Sequence, residues 1–180
     1  MILSDEQKFK KKVREYKHFP NCYLMTSRFN NQTWEENKQF RHSKNSSGNN
    51  KIGCVYCSPR PLNHEIPYNA ILFILEMNND INKIMGIGMV KYDPKIFTNI
   101  VYNNKSYNRY SFWGTRRIDV SEMNEEEKQI IKVLDILCFT GNSHSKRGDG
   151  IKTFPYDMLY RMSFRLDIVQ FIKHMFIKRQ

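Results

Sequence analysis

Residues 66–90 read IPYNAILFILEMNNDINKIMGIGMV and decide the fold. The apolar run 70–75 is short and nearly continuous, which is typical of a strand buried on both faces. Residues 78–80, Asn-Asn-Asp, tolerate left-handed backbone and bond their own backbone, so they predict a reverse turn. The chain then returns through an apolar segment with glycines at alternate positions, Gly86 and Gly88, where another group can approach the backbone closely. The stretch therefore predicts a central β-hairpin that serves as a scaffold.

The composition indicates one intracellular domain with a polyanionic partner. A chain of 180 residues is long enough for one domain with a substantial core. Lys and Arg number 29 against 18 Asp and Glu, a formal net charge of +11, which favours RNA, DNA or an anionic membrane surface. No apolar run is long enough to span a bilayer, residues 1–19 lack the apolar core of a signal peptide, and four cysteines are too few for a disulfide framework. We therefore expect reduced cysteines and an intracellular location, cytoplasmic or nuclear.

The segments around the hairpin predict further strands and helices. Thr33 with Glu36 and Asn124 with Glu127 have the spacing of capping boxes, so each pair predicts the start of a helix. From Pro155 onward, apolar residues at helical spacing predict one basic amphipathic helix that ends in 166–180. The remaining predictions are a basic arm or short helix over 1–19, strands at 21–27, at 53–59 and within 99–120, and polar loops at 43–51 and 141–150.

Catalytic and metal chemistry find little support in the motifs. Cys54 and Cys57 have a spacing at which two thiolates can share a zinc ion. Because Cys22 and Cys138 are isolated, no second pair completes such a site, and two small buried hydrophobic residues are the simpler interpretation. The histidines are scattered, and no nucleophile elbow, P-loop, dinucleotide fingerprint or zincin motif is present. We expect a protein that is not an enzyme and has no metal or cofactor.

Residues 105–117 interleave arginines with aromatic residues. Guanidinium groups can hold phosphates while aromatic rings stack on bases, so this pattern is typical of a nucleic-acid surface. Lys146 and Arg147 lie in a glycine-bounded loop whose backbone amides can also reach a phosphate. The alternative is an ordinary strand, which buries its aromatic residues and leaves its arginines in water.

The order of these motifs resembles the PUA-like superfamily, and most of all its YTH and EVE domains. Residues 21–37, NCYLMTSRFNNQTWEEN, are similar to the opening strand, loop and helix of these domains, and residues 51–59, KIGCVYCSP, resemble the segment that presents a tryptophan of the YTH base cage. The hairpin, residues 108–120 and the loop 144–151, HSKRGDGI, follow in the family's order, and that loop is similar to one that contacts RNA phosphate. The resemblance covers residues 20–165. It implies a single-domain α/β (α+β) fold, a twisted PUA-like β-barrel of the YTH/EVE type flanked by helices.

The resemblance also implies a pocket for a flipped base with a phosphate contact nearby. Tyr56 takes the position of the first cage tryptophan and has a smaller ring. Polar groups at the end of the first strand would meet the edge of the base, and a methyl group on its amine would add apolar contact. The base-pocket candidates are Ser27, Asn30, Asn31, Trp34, Tyr56, Cys57, Ser58 and Trp113. The phosphate-binding candidates are Arg109, Arg116, Arg117, Lys146, Arg147 and Asp149.

Charge, aromatic pattern and resemblance together predict a non-catalytic nucleic-acid-binding domain. RNA is expected ahead of DNA, with no membrane partner, and N6-methyladenine is the modified base that an aromatic pocket would read. The alternative is a basic structural or packaging protein that coats nucleic acid without base specificity. The richness in Asn, Lys and Ile is typical of AT-rich genomes such as those of large DNA viruses or protists, and a viral protein would lie in the host cytoplasm. A third alternative is a hydrolase of the ASCH kind, for which no Lys/Thr/Glu constellation can be assembled.

Overall fold

The computed structural model describes residues 4–17, 21–47, 51–93, 100–141 and 144–179. Within these ranges the chain has an α+β fold with a five-stranded mixed sheet in the order β6-β4-β3-β1-β7 and a two-stranded sheet of β2 and β5. The strands are β1 (Cys22–Phe29), β2 (Cys54–Ser58), β3 (Ile71–Asn78), β4 (Lys83–Lys91), β5 (Tyr110–Gly114), β6 (Arg116–Asp119) and β7 (Ile151–Thr153). The helices are α1 (Asp5–Lys17), α2 (Asn31–Ser47), α3 (Glu125–Phe139), α4 (Tyr156–Ser163) and α5 (Ile168–Ile177), and short 3-10 turns lie at Lys105–Arg109 and Val120–Glu122.

The predicted hairpin forms the centre of the large sheet as β3 and β4. Seven of the eight residues of β3 are buried, as expected for a strand covered on both faces. The turn is polar, with the Asp80 amide donating to the Asn78 side chain and Asn82 at a positive φ of 54°. β1 lies parallel to β3 on the other side, in register from Cys22 opposite Ile71 to the ends of both strands.

The predicted closed barrel is wrong, because the two sheets remain separate within the described part of the chain. β5 pairs with β2 along one edge and passes through Thr115 into β6, which pairs with β4 only over Gly86–Met89. A Cβ at Gly114 would collide with the carbonyl oxygen of Met89, so β5 crosses close over β4 at this glycine. Over the rest of its length β5 pairs with β2 and not with β4. The resulting architecture is a mixed sheet with a small second sheet on one face.

Each face of the large sheet carries its own hydrophobic core. Helices α3, α4 and α5 cover one face, where Leu134, Ile172 and Phe73 are almost completely buried. The two-stranded sheet and α2 cover the other face, around Ile74 and Tyr56. α1 packs against α4 through edge-to-face ring contacts, among them Phe9 with Tyr160 and Tyr16 with Tyr160.

The helix ends agree with the sequence in one place and differ in others. The capping box of Asn124 and Glu127 is confirmed, with hydrogen bonds of 2.9 and 3.0 Å between each side chain and the other residue's amide. α2 begins earlier than predicted, because Asn30 is its cap and accepts from the Thr33 amide at 2.7 Å, and it continues through Ser47 into the predicted loop 43–51. The single C-terminal helix is also wrong: the chain breaks after α4, and Asp167 caps α5.

Candidate nucleic-acid interface

A buried polar cluster lies between the two sheets and involves two of the predicted site residues. The Tyr56 hydroxyl donates to Glu76 at 2.7 Å, and the Arg117 guanidinium donates to both oxygens of Glu76 at 2.7 to 3.0 Å. Burial, followed by the neighbouring Cys54 and Glu76, raises the pKa of Tyr56 well above its usual value. Burial alone would lower the pKa of Arg117, but the Glu76 carboxylate raises that pKa above the usual value.

The hairpin glycines make room for this cluster. A Cβ at Gly86 would contact the Arg117 guanidinium and the Glu76 carboxylate, and a Cβ at Gly88 would collide with the Tyr56 hydroxyl. The close approach predicted at these two glycines is therefore confirmed, and the approaching groups are protein side chains. The cluster is an internal ion pair that ties β2, β3 and β6 together.

The predicted base-pocket residues do not meet in one pocket. The ring of Tyr56 is fully buried, and Trp34 is 6% exposed and packs edge-on against Phe29. Trp113 is 37% exposed and lies opposite Val55. Because Val55 and Tyr56 are neighbours on β2, Trp113 and Tyr56 project from opposite faces of the two-stranded sheet. Of the three aromatic residues predicted for the cage, Trp113 is thus exposed, and Tyr56 and Trp34 lie in the core.

The polar members of the predicted pocket have structural partners or lie in the core. Asn30 caps α2, while the Asn31 amide donates to Asp80 and its side-chain oxygen accepts from Asn78. Three further candidates on β1 and β2 are buried: Ser27, Cys57 and Ser58.

The two cysteines with zinc-ligand spacing are buried, as the simpler interpretation expected, and they face apart. Cys54 and Cys57 are three positions apart on β2, so their side chains project from opposite faces of the strand. Burial raises the pKa of each thiol to about 12, which keeps both protonated. Within the described ranges, no group of three or more His, Cys, Asp or Glu residues could hold a metal ion.

The predicted phosphate-binding residues fall in separate places. Arg109 is exposed and packs over the ring of Tyr110, whereas Arg116 and Arg117 lie on β6. Lys146, Arg147 and Asp149 belong to the segment before β7. The Asp149 carboxylate there lies within 4 Å of two cations, Arg60 and Lys152.

The 144–150 segment surrounds buried polar atoms that lack partners. The Arg28 Nε donates to the Ser145 carbonyl at 2.6 Å, yet its Nη1 is buried without a hydrogen bond. The Oδ1 of Asn79 and the Nδ1 of His144 beside it are also buried and unpartnered. Burial lowers the pKa of Arg28. A buried charged donor without an acceptor costs free energy.

A second basic site, which we call the basic cleft, has a volume of about 370 Å³ and collects cations from four parts of the chain. Its cationic lining residues are Arg41, Lys51, Arg116, Arg117 and Arg179. Only the two β6 arginines were among the predicted site residues, because the others come from the second half of α2, the segment before β2 and the residues after α5. No local motif connects these positions, so only the fold brings them together.

Two of the cleft arginines are committed to protein acceptors. A guanidinium carries five N–H donors. Arg117 directs four of them to Glu76, Asp119 and a backbone carbonyl. Arg179 likewise directs four to Glu127 and two backbone carbonyls. These two arginines therefore hold the cleft together and have little left to offer a ligand.

Arg41 and Arg116 keep most of their donors. Among the described residues, Arg41 donates only to the Asn37 side chain and the Gly53 carbonyl, and Arg116 donates only to the Phe176 carbonyl. Arg41 also lies over the Trp34 ring at 5.9 Å, and Arg116 lies over the Phe176 ring at 5.5 Å. These contacts hold the two guanidinium groups in place, while three N–H groups of Arg41 and four of Arg116 have no acceptor in the described part of the chain.

The charges of the cleft leave three cations without an acidic partner. No carboxylate of the described residues lies within ion-pair distance of Arg41, Lys51 or Arg116. The acidic residues that line the cleft are engaged, since Asp119 pairs with Arg117 and Glu122 accepts from the Asp119 amide. Guanidinium groups with free donors suit a phosphate, which they can contact through two parallel hydrogen bonds.

A neighbouring groove separates β4 from β5 and has a volume of about 390 Å³. The exposed ring of Trp113 lines it, as does Ser111, whose hydroxyl is buried without a hydrogen-bond partner. Thr115, the residue between β5 and β6, lines both this groove and the basic cleft. The two cavities are therefore adjacent.

No family model matches the chain, and neither a curated protein nor a solved structure shows significant similarity to it. The resemblance to PUA-like domains stays a prediction. None of the described helices has the length and apolar character needed to cross a membrane.

Proposed function

We propose that the chain is a non-catalytic nucleic-acid-binding domain that holds backbone phosphates in the basic cleft. The observation that carries this proposal is the set of unused guanidinium donors on Arg41 and Arg116, which lie beside Lys51 with no carboxylate partner among the described residues. The formal net charge of +11 supplies the attraction at longer range. RNA is placed ahead of DNA only on the resemblance to YTH and EVE domains.

Phosphate binding of this kind has a measurable signature in its salt dependence. Each neutralised phosphate of a single strand releases counterions and steepens the dependence of log K on log salt by roughly 0.7. Three cations, Arg41, Lys51 and Arg116, therefore predict that the cleft contributes about −2 to this slope.

Recognition of a methylated adenine is not part of this proposal. Of the three rings predicted for a cage, Tyr56 and Trp34 are buried in the core and offer no face for stacking, and only Trp113 is exposed. Binding that is specific for base sequence and binding that coats any strand both remain compatible with the cleft. They differ in whether a preference among sequences survives high salt.

The test is fluorescence anisotropy with short labelled RNA and DNA strands, single and double, from roughly 50 to 200 mM salt. The variant is Arg41→Gln with Arg116→Gln. Its matched control is Lys132→Gln with Lys173→Gln, which removes the same charge from two exposed helix positions. We expect the cleft variant to lose affinity for every sequence and to have a shallower salt slope, while the control changes little. Equal losses in both variants, or no binding by the wild type, would refute the proposal.

A further inference from the structure

The groove between β4 and β5 exists because two strand edges face each other without pairing. β4 is paired with β6 only up to Met89, so among the described residues its edge at Val90 and Lys91 has no strand partner on that side. β5 is paired with β2 along its other edge. Among the described residues, no backbone hydrogen bond joins the two facing edges. The groove therefore presents backbone donors and acceptors of the kind that a flat polar ligand can use.

The side chains of the groove suit a planar ring. Trp113 exposes 37% of its surface there, and an indole is the largest stacking platform that a side chain provides. Ser111 is 3% exposed, and its unpartnered hydroxyl is the kind of buried group that a bound ligand satisfies. A stacking ring beside a hydroxyl and strand edges can both hold a heteroaromatic ligand and hydrogen-bond to its edge.

The position of the groove indicates where such a ring would come from. Thr115 lines both the groove and the basic cleft, so the two cavities are adjacent and a strand with a phosphate in the cleft can place a base at the groove. An added peptide strand would also use the unpaired edges of β4 and β5, but it would not account for the cations of the adjacent basic cleft. The adjacent cations therefore favour a nucleotide as the occupant.

We propose that the β4–β5 groove is a nucleobase subsite, in which one base of the bound strand stacks on Trp113. This inference rests on the proposed function, since the strand is held by phosphates in the basic cleft. Stacking is tolerant of base identity, because every base has a π face. The strand edges and the Ser111 hydroxyl then meet polar atoms on the edge of the base.

The experiment compares a short RNA with the same strand made abasic, which keeps its phosphates and removes its bases. Binding is followed by anisotropy and by tryptophan fluorescence, since the chain has two tryptophans and Trp34 is buried. We expect the abasic strand to bind about 5- to 100-fold more weakly, with an unchanged salt slope and less quenching than the normal RNA. Trp113→Ala should bind the normal RNA as weakly as the wild type binds the abasic strand, whereas Trp113→Phe should keep most of the difference.

The outcomes separate this inference from the proposed function. Equal binding of normal and abasic strands, both sensitive to salt, would overturn the base subsite and leave phosphate binding intact. Quenching of the same size in Trp113→Ala as in the wild type would also overturn it, because Trp34, which lies beneath Arg41 of the basic cleft, would then be the reporter. Binding of neither strand would refute the proposed function and the subsite together. Selective binding of an unstructured neutral peptide would assign the groove to an added strand and overturn the subsite.

Discussion

Glu76→Gln should destabilise the fold strongly, because it removes one charge of a buried pair and leaves the other. The Glu76 side chain is 1% exposed, and it accepts hydrogen bonds from Arg117 and Tyr56 at 3.0 Å or less. Breaking such a pair costs roughly 3–5 kcal/mol. Native domains have a free energy of unfolding of only about 5–15 kcal/mol. Equilibrium urea unfolding should therefore show a markedly lower midpoint.

The same cluster contains its own control. Asp119 also pairs with Arg117, but its side chain is 40% exposed, so Asp119→Asn should cost no more than about 1 kcal/mol. The losses in Glu76→Gln and Arg117→Gln should also be far from additive, because each substitution breaks the same pair. A loss in Glu76→Gln no larger than that in Asp119→Asn would refute the account of this cluster as the tie between the sheets.

Three further predictions concern other parts of the fold. Gly88→Ala places a methyl group against the Tyr56 hydroxyl and should lower the free energy of unfolding by about 1–3 kcal/mol in urea titrations; an unchanged value would contradict the packing at this glycine. Hydrogen bonds from Arg179 lower the pKa of Glu127. The stability that this pair contributes is therefore complete above the unfolded-state pKa of the carboxyl, and it is lost as the pH falls through the lower folded-state pKa. Arg179→Gln should therefore make the free energy of unfolding fall less steeply at acid pH. An unchanged steepness would exclude this pair as a source of the pH dependence. In native protein at pH 8, iodoacetamide should label the partly exposed Cys22 well before Cys54 and Cys57, whose pKa of about 12 leaves little thiolate; mass spectrometry checks the order, and equal rates would contradict it.

The hairpin could be predicted because its signals are local. An apolar run, an Asn-rich turn and two alternating glycines each specify backbone behaviour within a few residues. The same holds for the capping box at Asn124. The break before α5 also had a local signal, since Asp167 stands as a cap directly before an apolar segment, but the continuous spacing of apolar residues hid it.

The barrel and the base cage could not be predicted in this way, because both depend on contacts distant in sequence. Closure of the barrel requires β4 to pair with β5. No local sequence signal reveals that β5 pairs with β2 instead and only approaches β4 closely at Gly114. A tyrosine or tryptophan in an alternating strand faces either the core or the solvent, and the pattern alone does not decide which. Arg41 likewise joins Arg116 only through the packing of α2 against β2.

The most direct test of the account is the slope of log K against log salt for single-stranded RNA. We predict that Arg41→Gln with Arg116→Gln makes this slope shallower by about 1.4, which is two phosphate contacts at roughly 0.7 each, relative to Lys132→Gln with Lys173→Gln. Identical slopes in the two double variants would contradict a phosphate site in the basic cleft.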